Sequence, residues 1–414
     1  MFTVLRTTWP LLLGVMLLLL GNGVQSSLLG IRGAIEGFTT AQMSLVMSAY
    51  FVGFLVGSRL TPGMIRRVGH VRVFAALGSL ISAVLVLYPA IPDWMAWTVL
   101  RVVIGFCFAG VYITAESWLN DAATNETRGQ TLSAYMIVQM IGIVASQALL
   151  NVAPVDGYLL FIIPSVLVSL AFTPILLRAG TTPAFDSTRP LSFRALVRVS
   201  PLGCVGMFLT GGIFSAMFAM AAVWGTLAGL SVAEISIFVG AMYLGGLVFQ
   251  YPIGWVSDRM DRRRLILVLA ALGAVAMLLP GFAALPFWSY VAVSVVLGGI
   301  VNPLYSLLIA HTNDFLKKED MAGASAGLLF INGTGAIAGP LVVGWMMETI
   351  GPTGFFLFIA ALLGLLAAYA LWRTTRRAAP APAETAAFQP VAHGASAVAV
   401  GAAVERRDDP GDAA

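Results

Sequence analysis

Charge is what this chain has little of. Only 10% of its 414 residues are charged, whereas soluble globular domains carry about 25%. A soluble fold of this length would bury a core but could not cover its surface with so few charges, so that class is excluded. Histidine (3) and cysteine (2) are scarcer still. Cys107 and Cys204 fall inside apolar runs and read as inert interior thiols, not as a disulfide or metal pair. His311 stands alone, so no metal site and no cofactor are expected. A glycine-rich phosphate loop is missing, which argues against an ATP-driven pump. No nucleophile–base set stands out, and the chain is not expected to be an enzyme. A net charge of +4, scattered along the sequence, does not suit nucleic acid.

What is there is hydrocarbon: 59% of the residues are hydrophobic and the mean hydropathy is +0.91. A transmembrane helix takes roughly 20 mostly apolar residues. About twelve such segments fit, near 8–31, 41–60, 71–91, 95–118, 131–152, 157–178, 201–227, 232–255, 265–283, 286–311, 322–348 and 352–372. The expectation is an all-α polytopic membrane protein. The first segment has the place of a signal peptide, but Asn22 and Gln25 interrupt it and no clean small-residue cleavage site follows. Cytoplasmic loops collect Lys and Arg. With the N-terminus inside, all 23 basic residues except Arg32 and Arg101 fall on inside segments. Both termini are therefore expected in the cytoplasm.

Shifted by 193 residues, the chain partly overlays itself. Tyr112 and Asn120-Asp121 meet Tyr305 and Asn313-Asp314; Gly105 meets Gly298; Tyr50 meets Tyr243; Gln139 meets Asn332. Thr39 to Gln42 and Ser231 to Glu234 both read as capping boxes that open a helix. Two six-helix halves in parallel repeat follow. The domains are a first bundle at 1–180, a cytoplasmic linker at 181–200, a second bundle at 201–377 and a tail at 378–414. The tail is rich in Ala, Pro and Gly and is expected to be disordered.

The densest charge sits in Gly254-Trp-Val-Ser-Asp258-Arg259-Met-Asp261-Arg262-Arg263-Arg264, between the eighth and ninth apolar segments. This stretch resembles the G-x-x-x-D-R-x-G-R-R signature of the major facilitator superfamily, with Asp261 where glycine is usual. Arg101-Val-Val-Ile-Gly105-Phe-Cys-Phe-Ala109 is similar to the R-x-x-q-G-x-g-a-a motif of the fourth helix, and departs from it at Ile104 and Cys107. Ala115-Glu116-Ser-Trp-Leu-Asn120 with Thr127-Arg128-Gly129 resembles a bacterial branch called YcaD-like. The resemblance covers about residues 8–375. It implies the superfamily fold and a lock between halves. In that lock Asp258 holds the start of the fifth helix, while Arg259, Arg262 and Arg263 hold the end of the fourth near Asp121 and Glu126. The first-half copy of the motif, from Gly57 to Arg72, has no acid, so the lock is expected in the second half alone. Gly142 to Gln147 lacks the proline and paired glycines usual in drug–proton antiporters, which argues against that subclass.

Polar residues inside apolar segments are costly and point to function. Trp97 and Trp118 read as the two interfacial belts of the fourth helix, about 31 Å apart at 1.5 Å per residue. Arg101 then lies one turn inward, either as a structural arginine or as a cavity cation for an anionic solute or a proton site. Glu116 is a candidate coupling acid, or a partner for charges at the helix end. Asn22 and Gln25 share a helix face. With Arg101, Gln139, Asn302 and Asn332 they are the expected substrate-binding residues; Asp258, Arg259, Arg262 and Arg263 are the expected gate. The function expected is secondary active transport of a small solute across the inner membrane by a monomer, with a proton as partner where Glu116 carries one. The alternative is a membrane receptor or assembly protein without flux. The single arginine tilts the expected solute toward a carboxylate or phosphate.

Overall fold

The computed structural model describes residues 2–122, 128–176 and 191–376, together with Phe388 and Val391 of the tail. Every described element is helical. In the first half these are α1 (Phe2–Ile35), α2 (Thr40–Val68), α3 (His70–Ala90), α4 (Trp94–Ala122), α5 (Arg128–Leu149) and α6 (Leu159–Leu176). A short α7 (Phe193–Val199) precedes α8 (Pro201–Ser215), which passes through a π-helical turn at Ala216–Met220 into α9 (Ala221–Leu227). The chain continues through α10 (Val232–Ser257), α11 (Arg262–Phe282), α12 (Phe287–Asn313), α13 (Lys318–Ile350) and α14 (Gly354–Thr374). Each apolar segment read from the sequence falls on a helix. Among the described residues ten spans are long and apolar enough to cross a membrane, and α5 and α6 add shorter apolar stretches. Large hydrophobic side chains such as Leu60, Leu80, Val99, Leu272, Val275, Phe282 and Trp288 stay exposed, as a surface wetted by lipid requires. The chain is a multi-pass membrane protein.

The repeat is visible in local structure first. α1 ends with the Phe38 amide bonded to the Gly33 carbonyl around Gly37, whose φ is 77°. α9 ends in the same way, with Leu230 bonded to Gly225 around Gly229 at φ 75°. Glycine takes this left-handed conformation without a Cβ penalty, and the long bond satisfies a carbonyl the helix leaves open. Two residues later both capping boxes form, Thr39 with Gln42 and Ser231 with Glu234.

The same symmetry governs packing. α2 crosses α4 as α10 crosses α12, and α1 packs on α5 as α8 packs on α13. At the first crossing a Cβ on Gly53 or Gly105 would run into the backbone carbonyl of Val102 or Tyr50. At the second, Gly245 and Gly298 stand in the same relation to Val295 and Met242. Small residues let helix backbones touch where no hydrophobic effect drives helices together, and dispersion and close contact supply the stabilisation instead.

The two bundles meet at the arginine-poor ends of their helices. Gly30 of α1 lies against Ala222 of α9, and Gly344 of α13 against Ser44 of α2. The Ser48 hydroxyl donates to the Ile337 carbonyl at 2.6 Å, and Asn151 to Ser236 at 3.1 Å. Toward the arginine-rich ends α2 still meets α13, with Arg59 over the Phe330 ring at 4.0 Å and Leu55 against Gly333; Tyr50 and Phe51 are buried, whereas Phe54, Leu55 and Ser58 are partly exposed.

Two expectations change here. Trp97 is not a lipid-facing belt residue; it is fully buried, its indole N–H donates to the carbonyls of Tyr88 and Ile91, and its ring meets Phe38 and Tyr88 edge-on. Part of the solvated linker is a packed helix: Ser192 caps α7, and Leu196 is buried against Gly327. Residues 181–190 lie outside the described part. So does the tail apart from Phe388 and Val391, and these two lie against the second bundle.

Candidate functional site

A cavity lies between the bundles, at the middle of the helices. Its walls come from α1, α2, α4 and α5 on one side and from α8, the π-helical turn, α10, α12 and α13 on the other. Four of the six expected substrate residues line it: Asn22, Gln139, Asn302 and Asn332. Helix geometry explains why they converge, since Asn22 faces α2 and α4, and Asn332 faces α8. The Asn22 amide N–H donates to the hydroxyls of Tyr50 (3.2 Å) and Tyr112 (3.1 Å), which ties α1 to both neighbours. Asn332 donates to the Met207 carbonyl at 3.0 Å, and Asn302 to the Gly298 carbonyl at 3.0 Å.

Arg101 and Gln25 are not brought into this cavity. The Arg101 side chain is fully buried inside the first bundle. It donates to the Gln25 carboxamide oxygen (3.1 Å) and to the Met47 sulfur (3.2 Å), and its guanidinium carbon lies 4.9 Å from the centre of the Tyr50 ring. Tyr50 is therefore a partition, with the cavity on one side and the sealed cation on the other. The ground for expecting an anionic solute falls away, because the arginine reaches no solute in this arrangement.

Aromatic walls are what the sequence reading missed. Tyr50 contacts Phe54 and Phe218, and Phe218 stacks on Phe214. Tyr243 completes the set from α10. The signal was present in the repeat, which pairs Tyr50 with Tyr243, but in a chain this apolar an aromatic residue reads first as core.

Glu116 is buried one layer behind the wall and accepts from the Tyr135 hydroxyl at 2.9 Å. It lies one helical turn from Tyr112, which lines the cavity.

The four gate residues sit at the arginine-rich end. Arg262 is buried, bonds Asp314 at the end of α12 at 2.5 Å, and donates to Ser257 at 3.2 Å. Asp258 stands 3.5 Å from Arg262 and accepts the Phe388 amide at 2.6 Å. Arg263 folds back on Asp261 at 2.9 Å. Burial alone would raise the Asp261 carboxyl, but hydrogen bonds from the Arg263 side chain and backbone hold it below its ordinary value. Arg259 lies over the Trp255 ring at 4.0 Å. Apart from the Phe388 amide of the tail, these partners belong to the second bundle. The Asp121 side chain and Glu126, named for the lock, lie outside the described residues.

The tail meets this site. The Phe388 ring fills the space beside Gly254, and Val391 is buried, exchanging hydrogen bonds with the Ser306 hydroxyl at 3.0 and 3.1 Å. Gln250 donates to the same hydroxyl at 3.1 Å.

The sequence profile of the Major Facilitator Superfamily matches residues 11–233 and again 202–404. The uncharacterized MFS-type transporter Ent638_1421 of Enterobacter sp. (strain 638) is 28% identical over 373 residues, covering 87% of this chain and 94% of its own. The uncharacterized MFS-type transporter YcaD of Escherichia fergusonii is 27% identical over 368 residues, covering 86% and 93%. Among solved structures, a point mutant of the nucleoside transporter NupG superimposes with a TM-score of 0.77 at 13% identity, over 89% of this chain and 99% of that one. A D-xylose–proton symporter gives 0.69 at 15%, over 88% and 96%.

Proposed function

This chain belongs to the Major Facilitator Superfamily, and from that membership we propose that it is a secondary active transporter moving a small solute across the inner membrane by alternating access. The observation that carries the reading is the central cavity: amides and aromatics from both bundles line it, and the bundles close over it at the arginine-poor end. With the arginine-rich end in the cytoplasm, as the Lys and Arg bias supports, that seal lies on the outer side. A monomer suffices, because one chain supplies both walls. The structures of like fold are of transporters for a nucleoside and for D-xylose with a proton, which agrees with a small-solute role.

Proton coupling belongs to Glu116 in this reading. A buried carboxylate bonded to Tyr135, one turn from the cavity residue Tyr112, supports this reading.

The test uses reconstituted vesicles. Cysteines at Ser58, which lines the cavity, and at Ser48, in the seal, are probed with a membrane-impermeant thiol reagent. Ser58→Cys reacts and Ser48→Cys is protected at rest; a transported solute shifts both rates in opposite directions. Solute binding with no flux and no change in either rate would replace the transporter with a receptor.

A further inference from the structure

Past the cavity, toward the arginine-rich end, the face of α10 that lines it continues as a groove against α12. Tyr243 lines the cavity, and Gln250 and Gly254 follow seven and eleven residues later, within about 20° of the same face at 3.6 residues per turn. On α12, Asn302 lines the cavity and Ser306 comes one turn later, about 6 Å further along the axis. Gln250 donates to the Ser306 hydroxyl, so the floor of the groove is polar. The first bundle has no such groove at this depth. About two turns past its crossing α2 still fills against α4, where a Cβ on Gly110 would come within 2.8 Å of the Thr61 hydroxyl. About two turns past the second crossing α10 presents Gly254, and the space beside it holds the Phe388 ring, 2.5 Å from where a Cβ would stand.

The groove grips main chain that is not helical. The Ser306 hydroxyl accepts the Val391 amide at 3.0 Å and donates to the Val391 carbonyl at 3.1 Å. With Gln250 on its second lone pair, its one proton and both lone pairs are in use. Three residues earlier the Phe388 amide donates to Asp258. Side chains add apolar burial to these bonds: Val391 is 8% exposed and joins the hydrophobic core, and Phe388 packs against it. Both described tail residues are thus held twice, once through the backbone and once through the side chain.

We propose that the α10–α12 groove is a peptide seat for the chain's own tail, and that Phe388 and Val391, while seated, shield the Asn302 wall of the cavity from the arginine-rich side. Val391 is bonded one turn from Asn302 on the same side of α12, so a solute that approaches along the second bundle meets the tail before it meets the amide. The tail restrains the site it covers. The inference rests on the transport reading for its consequence but not for its test.

The test follows how fast a sulfonated methanethiosulfonate reagent modifies Asn302→Cys in the purified full chain in detergent. Cys107 and Cys204 are buried, and the chain without the added cysteine sets the background. Val391→Asp puts a carboxylate into an apolar seat whose hydroxyl is already in use; it should free the tail and raise the rate by on the order of tenfold or more. Phe388→Ser, which gives up the ring beside Gly254, should raise it in the same direction. A synthetic peptide of residues 384–395 added to the Val391→Asp chain should bring the rate back down, and the same peptide carrying Val391→Asp should not. Ser48→Cys, in the seal, should keep its rate throughout. Equal rates at Asn302→Cys with and without Val391→Asp overturn the inference, as does a rise that the peptide fails to reverse or that Ser48→Cys shares. No solute enters this measurement, so it is read apart from flux: peptide-reversible shielding without any flux keeps the seat and removes transport, whereas flux with a labelling rate indifferent to the tail removes the seat and keeps transport.

Discussion

The two halves share one frame and place their charge differently. In the first, the cation lies in the interior: Arg101 rests against Gln25, Met47 and Tyr50, all on helices of its own bundle. At the 193-residue offset the second half has Ser294, Phe218, Gly240 and Tyr243, so only the tyrosine is kept. In the second half the cations lie at the edge, with Arg262 on Asp314 and Arg263 on Asp261. The first-half counterpart of Arg263 is His70, whose Nε2 lies 2.9 Å from the Ser117 hydroxyl. The duplicated scaffold thus carries a buried cation beside the cavity wall in one half and buried, ion-paired arginines at the rim in the other.

The largest expected effect breaks the rim ion pair. Arg262→Ala leaves the buried Asp314 carboxylate without its 2.5 Å partner and should cost about 3–5 kcal/mol in thermal unfolding, where Arg262→Ala combined with Asp314→Ala recovers most of the loss. Loss of the same size in the double variant would show that the pair itself is not responsible. Next is the interior cation. Arg101→Ala opens a hole among Met47, Tyr50 and Tyr88 and should cost roughly 2–4 kcal/mol, while Arg101→Met, which fills the space, should stay within about 1 kcal/mol of the parent. Gly105→Ala and Gly298→Ala probe the frame shared by both halves. Each drives a Cβ into an equivalent carbonyl, and each should cost about 1–3 kcal/mol, the two differing little. A large inequality would mean that one crossing relaxes and the frame is not equivalent. Glu116→Gln should leave folding nearly unchanged and flatten the pH dependence of uptake. Smallest is Asp258→Asn: the side chain is more than a third exposed, so stability should move by no more than about 1 kcal/mol, and the change should appear in the labelling rate at Ser58→Cys.

Much of the fold was legible because a bilayer demands long apolar helices and because turn chemistry is local. Gly37 and Gly229, with the capping boxes that follow them, can be read from a few residues each. The glycines at the crossings were visible as a repeat, though not which carbonyl each one touches. The site was only partly legible. Asn22, Gln139, Asn302 and Asn332 were found because an amide in an apolar run needs a reason to be there. Arg101 and Gln25 met the same criterion and face elsewhere. In a membrane protein both the lipid side and the packed side of a helix are apolar, so the pattern that tells inside from outside in water is weak. Trp97 shows the same loss. A tryptophan near a helix end reads as a belt residue until its N–H is seen bonded to Tyr88 and Ile91. Phe388 and Val391 carried no signal at all, being two apolar residues in a stretch of low complexity.

Those two residues make Asp258 a contested group. One of its two oxygens holds the Phe388 amide at 2.6 Å, so a helix start in the other bundle would have to share that carboxylate with the tail. Because the tail is part of the same chain, it is a tethered competitor whose effective concentration does not fall on dilution. In the proposed lock, where Asp258 binds across the bundles, the tail contact would compete for the same carboxylate, and its occupancy would set how often the lock forms, independent of solute on either side.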